Sequence, residues 1–213
     1  MKRKSIVSLA NIFLVVYTTA CTTYRRGKGT LTATSVDGEY EVFNNEIFAS
    51  PSGVDLKADI FVPHKGKPKE GYPAVVLIHG GGWTNGSKEQ MTPIAERLVR
   101  SGFSVMNISY RFAPKYHWPA QLEDCQMALK WFRGQSDRFA IDTNKVASFG
   151  YSAGAHLALM MAYTGIDSDQ RIQAVVDGAG PVDFADFPDS PLVKQLMGGS
   201  FKKIPEAYRN ASP

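Results

Sequence analysis

The sequence has 213 residues, of which 44% are hydrophobic and 21% charged, so it can bury one sizeable core and is not typical of a disordered chain. The formal net charge is +4, but residues 1–20 hold three of the 24 basic residues and none of the 20 acidic ones. The rest of the chain therefore has 21 basic and 20 acidic residues and a net charge of +1. The remaining chain is therefore nearly neutral, which argues against a nucleic-acid or acidic partner.

Residues 1–20 have the pattern of an export signal. Basic residues at 2–4 precede an apolar stretch over residues 6–17, which is too short for a membrane-spanning helix. The small residues before Cys21 resemble the lipobox of bacterial lipoproteins, although Thr18 stands where that motif has a Leu-like residue. We predict an exported lipoprotein anchored through Cys21 in the periplasm or at the cell surface. The alternative is an ordinary signal and a secreted protein.

Residues 21–38 are mostly small and polar, which predicts a flexible tether before a domain over residues 39–213. If Cys21 is lipidated, Cys125 has no partner for an intramolecular disulfide, and its helical spacing with apolar neighbours predicts burial. No Cys/His spacing indicates a metal site, and we expect no cofactor.

The domain begins with alternating apolar residues, which predict antiparallel strands up to Pro63, divided by a turn at residues 50–53. Apolar strands then alternate with helical patterns, which predicts a mostly parallel sheet covered on both faces. The predicted later strands are residues 74–79, 103–108, 146–149 and 172–177. One predicted helix includes residues 94–99 and ends near residues 101–102, and two more start near residues 120 and 153.

Ser152 lies in the sequence Gly150-Tyr151-Ser152-Ala153-Gly154, between a predicted strand and a predicted helix. The flanking glycines leave room for a tight reversal that would raise the serine hydroxyl above the sheet. Unpaired N–H groups at the start of the helix would face negative charge that develops there. The pattern predicts a nucleophile beside an anion stabiliser.

A second glycine motif, residues 80–82, follows the predicted strand at 74–79 and precedes Trp83. Three consecutive glycines allow backbone N–H groups to approach a bound group closely, as an oxyanion hole requires. Together with the serine turn, this loop favours acyl-transfer chemistry.

Four linked motifs follow one another along the chain: His79–Trp83, Tyr110–Pro114, Trp118–Ala120 with Glu123-Asp124, and Gly150–Gly154. In this order and spacing they resemble the α/β-hydrolases, in particular carboxylesterases related to hormone-sensitive lipase and bacterial feruloyl and acetyl xylan esterases. The resemblance implies that Ser152 is the nucleophile and that the N–H groups of Gly81, Gly82 and Ala153 form the oxyanion hole. The sequence departs from the family at Tyr151, where an Asp is common.

In this fold the acid and the histidine follow the serine. Only His156 follows Ser152, and its place one turn along the same helix predicts a structural role. His79 is expected to orient the glycine loop, and Asp177 and Asp183 come too early to be the triad acid. We therefore expect a C-terminally truncated fragment that lacks its last strands and its triad acid and His, has an unprotected sheet edge, and has little activity as given.

The sequence thus predicts a serine carboxylic-ester hydrolase that acts on short-chain or polysaccharide-linked esters. Two alternatives stay open: a serine peptidase of the same fold, and a non-catalytic surface-binding lipoprotein whose triad is lost. The expected partners are the ester substrate and, through the lipid anchor, a membrane.

Overall fold

The computed structural model describes residues 19–25, 30–36, 38–165 and 170–213, with side chains from residue 38 onward. In these ranges the chain forms one eight-stranded sheet and six α-helices. The strands are β1 Thr19–Arg25, β2 Thr30–Val36, β3 Tyr40–Ala49, β4 Leu56–Pro63, β5 Tyr72–Ile78, β6 Ser104–Ile108, β7 Ile141–Tyr151 and β8 Ala174–Gly178. The helices are α1 Thr92–Arg100, α2 Ala120–Gly134, α3 Ser136–Phe139, α4 Ala153–Thr164, α5 Pro191–Met197 and α6 Pro205–Asn210, with 3-10 turns at Pro51–Gly53, Lys88–Met91 and Phe184–Asp186.

The strands lie in the order β1-β2-β3-β4-β6-β5-β7-β8. Neighbouring strands are antiparallel in the pairs β1–β2, β2–β3, β3–β4 and β4–β6. The strands β6, β5, β7 and β8 are parallel to one another. This arrangement confirms the predicted antiparallel leading strands followed by a parallel sheet with intervening helices. The parallel strands all end at one edge, where the loops after β5 and β7 meet.

Alternate side chains of the strands enter two apolar cores, one on each face of the sheet. Leu77 and Val105 pack with Val99 of α1 on one face. On the other face, Val76 and Ile78 pack against α2 and α4. The continuous apolar run of β5 is explained by this burial on both faces.

Helix α2 illustrates how the helical spacing directs burial. Leu122, Cys125, Leu129 and Phe132 repeat on its apolar face and join the same core as α4. Cys125 is fully buried and burial raises the pKa of its thiol, which confirms the prediction of a core residue rather than a reactive one.

The prediction of a flexible tether over residues 21–38 disagrees with the structure. β1 and β2 form an antiparallel pair, and β2 adds to the edge of β3. Three of the seven residues of Thr30–Val36 are Thr and one is Val, and β-branched residues favour extended backbone, which the prediction from composition underweighted. The signal prediction falls largely on residues 1–18, which lie outside the described residues, and lipidation of Cys21 stays a prediction.

The carboxyl-terminal part packs against the segment that follows β8. After β8, the chain runs through a 3-10 turn into α5 and α6, and the Ser212 hydroxyl accepts a hydrogen bond from the N–H of Phe184. In the part of the chain that the structure describes, no helix is both long enough and apolar enough to span a bilayer.

Candidate active site

Ser152 occupies the sharp turn that joins β7 to α4. Its backbone angles are φ 53° and ψ −118°, a region that non-glycine residues rarely occupy. The turn is held by hydrogen bonds, because the N–H of Ser152 donates to the carbonyl of Gly178 at 2.8 Å and its own carbonyl accepts from the N–H of Ala155 at 2.9 Å. Such local strain, held by the surroundings, is typical of functional positions.

The two flanking glycines are required by close approach of the backbone. A Cβ at Gly150 would overlap the carbonyl group of Gly154, and a Cβ at Gly154 would overlap the carbonyl oxygen of Ile78. α4 can therefore begin directly against β7 and β5. The spacing seen in the sequence has this packing as its physical cause.

The glycine loop lies beside this turn. A Cβ at Gly80 would lie 3.0 Å from the carbonyl oxygen of Tyr151 and 3.4 Å from Cβ of Ser152. Gly81 has a φ of 119°, and its carbonyl accepts hydrogen bonds from the N–H groups of Thr84 and Asn85, both at 3.1 Å. A side chain at Gly81 would clash with Asn85, so only glycine fits this tight loop.

A cavity of about 170 Å³ brings the serine and part of the glycine loop together. Ser152, Ala153 and Gly82 line it, whereas Gly81 is adjacent in the chain but is not among the lining residues. Among the described residues, the N–H groups of Gly82 and Ala153 donate to no other group of the protein. Both groups are therefore available to a molecule bound beside Ser152.

The walls of this cavity were not predicted from the sequence. They are largely apolar and come from the segment between β8 and α5 and from the first turn of α5, which have no motif that marks them as functional. The lining residues are Pro181, Phe187 and Ser190 before α5, and Leu192 and Val193 within it. Leu192 packs directly on Gly82, so close that a Cβ there would lie 2.9 Å from Leu192 Cδ1.

His79 supports the glycine loop through a side-chain hydrogen bond. Its Nδ1 lies 2.6 Å from the carbonyl oxygen of Gly80, and an N–H there is the donor because a carbonyl can only accept. The imidazole stacks on Tyr110 at 4.4 Å between ring centroids, and the Tyr110 hydroxyl donates to the carbonyl of His79 at 3.0 Å. Burial lowers the pKa of His79, which keeps it neutral, and its predicted role in orienting the loop is confirmed.

His156 lies on α4 and is fully buried behind the turn. The indole N–H of Trp83 donates to its Nδ1 at 3.3 Å, so Nδ1 carries no proton, and Nε2 donates to the carbonyl of Ala211 at 2.7 Å. Burial lowers the pKa of this imidazole to about 4. Both nitrogens are thus engaged away from Ser152, which confirms the predicted structural role.

The loop after β6 is fixed by a buried ion pair. Asp124 accepts hydrogen bonds from the backbone N–H of Arg111 at 2.7 Å and from its Nε at 2.9 Å. This ion pair was not predicted from the sequence, since no local pattern pairs positions 13 residues apart. Burial raises the pKa of Asp124, and its bonds to Arg111 oppose that rise.

The other candidate histidines and carboxylates also have structural partners. His117 is exposed, and its Nδ1 lies 3.0 Å from the carbonyl oxygen of Gln195. Asp177 accepts from the N–H of Gly180, and Asp183 caps the following 3-10 turn. Within residues 38–165 and 170–213, no histidine side chain forms a hydrogen bond with Ser152, and no cluster of three or more His, Cys, Asp or Glu could hold a metal ion.

The mixed sheet with helices on both faces, together with the strained serine turn after β7, defines an α/β-hydrolase fold, and the predicted resemblance to that class is confirmed. A family model described as BD-FAE matches residues 58–213. The chain belongs to this family.

Known proteins are similar to this chain in both sequence and fold. Esterase LipC of Mycobacterium tuberculosis is 31% identical over 171 residues, which cover 70% of this chain and 41% of LipC. Arylacetamide deacetylase of Bos taurus is 36% identical over 131 residues, or 57% of this chain and 32% of that protein. A truncated carbohydrate esterase from gut microbiota has a TM-score of 0.71 at 26% identity, with 83% of this chain and 72% of that chain covered.

The curated relatives are considerably longer than this chain. It spans about two fifths of the length of LipC and of the two further Mycobacterium tuberculosis relatives, with values of 41%, 37% and 45%.

Proposed function

We propose that the protein is a carboxylic-ester hydrolase in which Ser152 forms an acyl-enzyme. The observation that carries this proposal is the strained serine turn, which places Ser152 in one cavity with Gly82 and Ala153. Similar proteins named as esterases support the same activity. No contact in the described chain favours a peptidase or a purely binding role.

The proposed reaction has two steps. The oxygen of Ser152 bonds to the ester carbonyl carbon, its proton passes through a base to the departing alcohol, and an acyl-serine remains. Water then attacks the acyl carbon, and the acid leaves as the serine regains its proton. The N–H groups of Gly82 and Ala153, with Gly81 as the third predicted donor, would stabilise the oxyanion in both steps.

The site needs a base that none of the described histidines supplies. We propose that a histidine and a carboxylate outside this sequence complete it, in the chain order serine, acid, histidine that the fold uses. The greater length of LipC and its relatives supports this proposal. In their absence we expect little turnover.

The cavity also supports a preference for short acyl groups. Its volume of about 170 Å³ is well below the roughly 300–1,000 Å³ typical of drug-sized ligand sites, and its walls are apolar. The similar gut-microbiota protein described as a carbohydrate esterase supports a saccharide as the alcohol part of the ester. Export and lipidation at Cys21 remain part of this proposal, and a surface location would suit polymer-linked substrates.

The proposed activity can be tested by translating the coding DNA in frame beyond Pro213 and assaying the product on p-nitrophenyl acetate. We expect hydrolysis, and we expect Ser152→Ala to lower kcat by at least about 10³-fold because it removes the nucleophile. Mass spectrometry after treatment with a fluorophosphonate should find the adduct on Ser152. Ser101→Ala, which changes an exposed serine at the end of α1, is the matched control.

Two results would contradict the proposal. One is undiminished hydrolysis by Ser152→Ala, and the other is a stop codon directly after Pro213 together with no labelling of Ser152. The second result would favour a hydrolase fold that has kept only a binding role.

A further inference from the structure

A second and larger cavity, of about 590 Å³, lies beside the loop that follows β6. It is lined by residues 54–56 before and within β4 and by residues 109–116. Its volume falls in the range of roughly 300–1,000 Å³ that is common for small-molecule sites. Neither Ser152 nor α5 lines it, so it is distinct from the serine cavity.

The wall of this second cavity combines apolar surface with two aromatic rings. Val54 and the half-buried rings of Phe112 and Tyr116 provide the apolar part. The Tyr116 ring is flanked by cations, with Cζ of Arg111 at 5.3 Å and Nζ of Lys115 at 5.2 Å from its centroid. These contacts fix the ring in place before any ligand arrives.

Arg111 supplies a fixed polar group to the same cavity. Its Nε and Nη2 are engaged by Asp124 and by the carbonyl of Ala120. Its Nη1 donates to no acceptor among the described residues, yet it is not sealed from solvent. Arg111 thus lines the cavity with a guanidinium group that its partners hold in place, and Nη1 keeps two N–H donors without an acceptor among the described residues.

The charges around the cavity nearly cancel. Arg111 and Lys115 contribute two positive charges to the lining, and Asp55 contributes one negative charge. Asp124 and Glu123, which both pair with Arg111, bring the sum to −1. An anion would gain little here. A neutral ligand that both donates and accepts hydrogen bonds fits better.

We propose that this cavity binds a neutral saccharide of one or two rings. Apolar C–H groups of the sugar would pack against Phe112 and Tyr116, because both surfaces leave water. Sugar hydroxyls would accept from Nη1 of Arg111 and donate to the carboxylate of Asp55. An alkyl chain would cover Nη1 of Arg111 without offering it an acceptor, which is unfavourable.

The saccharide would be held next to the serine cavity. The N–H of Ala113, which lines the second cavity, donates at 2.9 Å to the carbonyl of Trp83, which lines the serine cavity. One backbone hydrogen bond thus joins a lining residue of each cavity. The assignment of the bound sugar to the alcohol part of the ester rests on the proposed function. The binding of the sugar to this cavity does not.

The test is an NMR titration of the 213-residue chain with xylobiose and with cellobiose. We expect shifts of the amides of residues 109–116, and Tyr116→Ala should weaken binding about tenfold or more because it removes most of one aromatic wall. Tyr116→Phe keeps the ring and should bind nearly as the unchanged protein does. Tyr163→Ala, an exposed tyrosine on α4, is the matched control.

Several outcomes would overturn the proposal. They are an absence of shifts at the highest soluble sugar concentration, shifts that map elsewhere, or a folded Tyr116→Ala variant with unchanged affinity. Tighter binding of glucuronate or inorganic phosphate than of the neutral sugars would also overturn it. Ser152→Ala should bind the sugars normally, so loss of the proposed catalysis and loss of the saccharide site are distinguished.

Discussion

At the scale of single residues, the site depends on groups whose roles follow from what they contact. Trp83 shows this, because its φ of 60° turns the glycine loop and its buried indole donates to His156. His156 in turn donates to Ala211 near the end of the described chain. One neutral imidazole therefore joins the loop, α4 and the carboxyl-terminal segment.

The pH dependence of stability should report on His156. Folding lowers its pKa from the ordinary 6.5 to about 4, so between these values the unfolded chain binds a proton that the folded chain does not. Its contribution, about 3 kcal/mol, is complete above pH 6.5 and is lost as the pH falls to about 4. The free energy of unfolding should be measured by urea denaturation at several pH values. Between pH 4 and 6.5 it should change less steeply with pH for His156→Gln than for the unchanged protein.

His117→Gln provides the matched control for an exposed histidine and should keep the slope of the unchanged protein. If His156→Gln loses stability equally at every pH between 4 and 7, the imidazole titrates alike in both states and this interpretation of its contacts is wrong.

At the scale of elements, the loop between β6 and α2 forms the second cavity and supports the glycine loop. Tyr110 stacks beneath His79, while Arg111 attaches the loop to α2 through Asp124. The segment from β8 to α5 supplies the opposite wall of the serine cavity. Two connections with little regular structure thus shape both cavities, and rigid elements hold their ends.

Asp124→Asn should be strongly destabilising because it leaves the charge of Arg111 buried without its counter-ion. We expect a loss of about 3 to 5 kcal/mol in the free energy of unfolding, measured by urea denaturation. Glu123→Gln, one position earlier and largely exposed, should change that free energy by less than about 0.5 kcal/mol. Equal losses in the free energy of unfolding for the two substitutions would contradict a larger contribution of the buried Arg111–Asp124 pair to stability.

Leu192→Ala should enlarge the serine cavity and improve binding of longer acyl groups. If two further methylenes become buried at about 0.8 kcal/mol each, hexanoate affinity should rise roughly tenfold. Acetate affinity should not change. Titrations followed at the amides of Gly82 and Ala153 would measure both. Ile47→Ala, exposed on β3, is the control, and unchanged hexanoate affinity for Leu192→Ala would show that α5 does not limit acyl size.

At the scale of the whole molecule, the sheet ends at β8 within the described residues. This strand pairs with β7 only, and Val176 has 46% of its surface exposed. An exposed apolar edge strand offers unpaired backbone groups to another chain. The predicted unprotected edge is therefore present in the described part of the chain.

The 213-residue chain should self-associate through this edge. We expect the sedimentation coefficient of the chain to rise with its concentration. Val176→Lys should shift the association equilibrium toward the monomer, because a charge on the edge strand opposes its pairing with another chain. Tyr163→Lys adds the same charge on α4, away from the strand, and should have little effect. A monomer at all concentrations, or equal effects of both substitutions, would contradict this prediction.

Much of this architecture was predictable because its signals are local. Apolar periodicity located β3 to β8 and the main helices, and glycine spacing identified the turn at Ser152, since Gly150 and Gly154 are fixed by contacts between neighbouring elements. Composition misled the prediction at β1 and β2, where backbone pairing replaced the expected tether.

The sequence by itself determined the fold class, the serine turn and the glycine loop, because each depends on residues close together in the chain. Only the tertiary structure decided the pairing of Arg111 with Asp124, the apolar wall at Leu192 and the second cavity beside Tyr116. Those features depend on which distant segments share one edge of the sheet. Packing of the complete core sets that arrangement, and no local pattern encodes it.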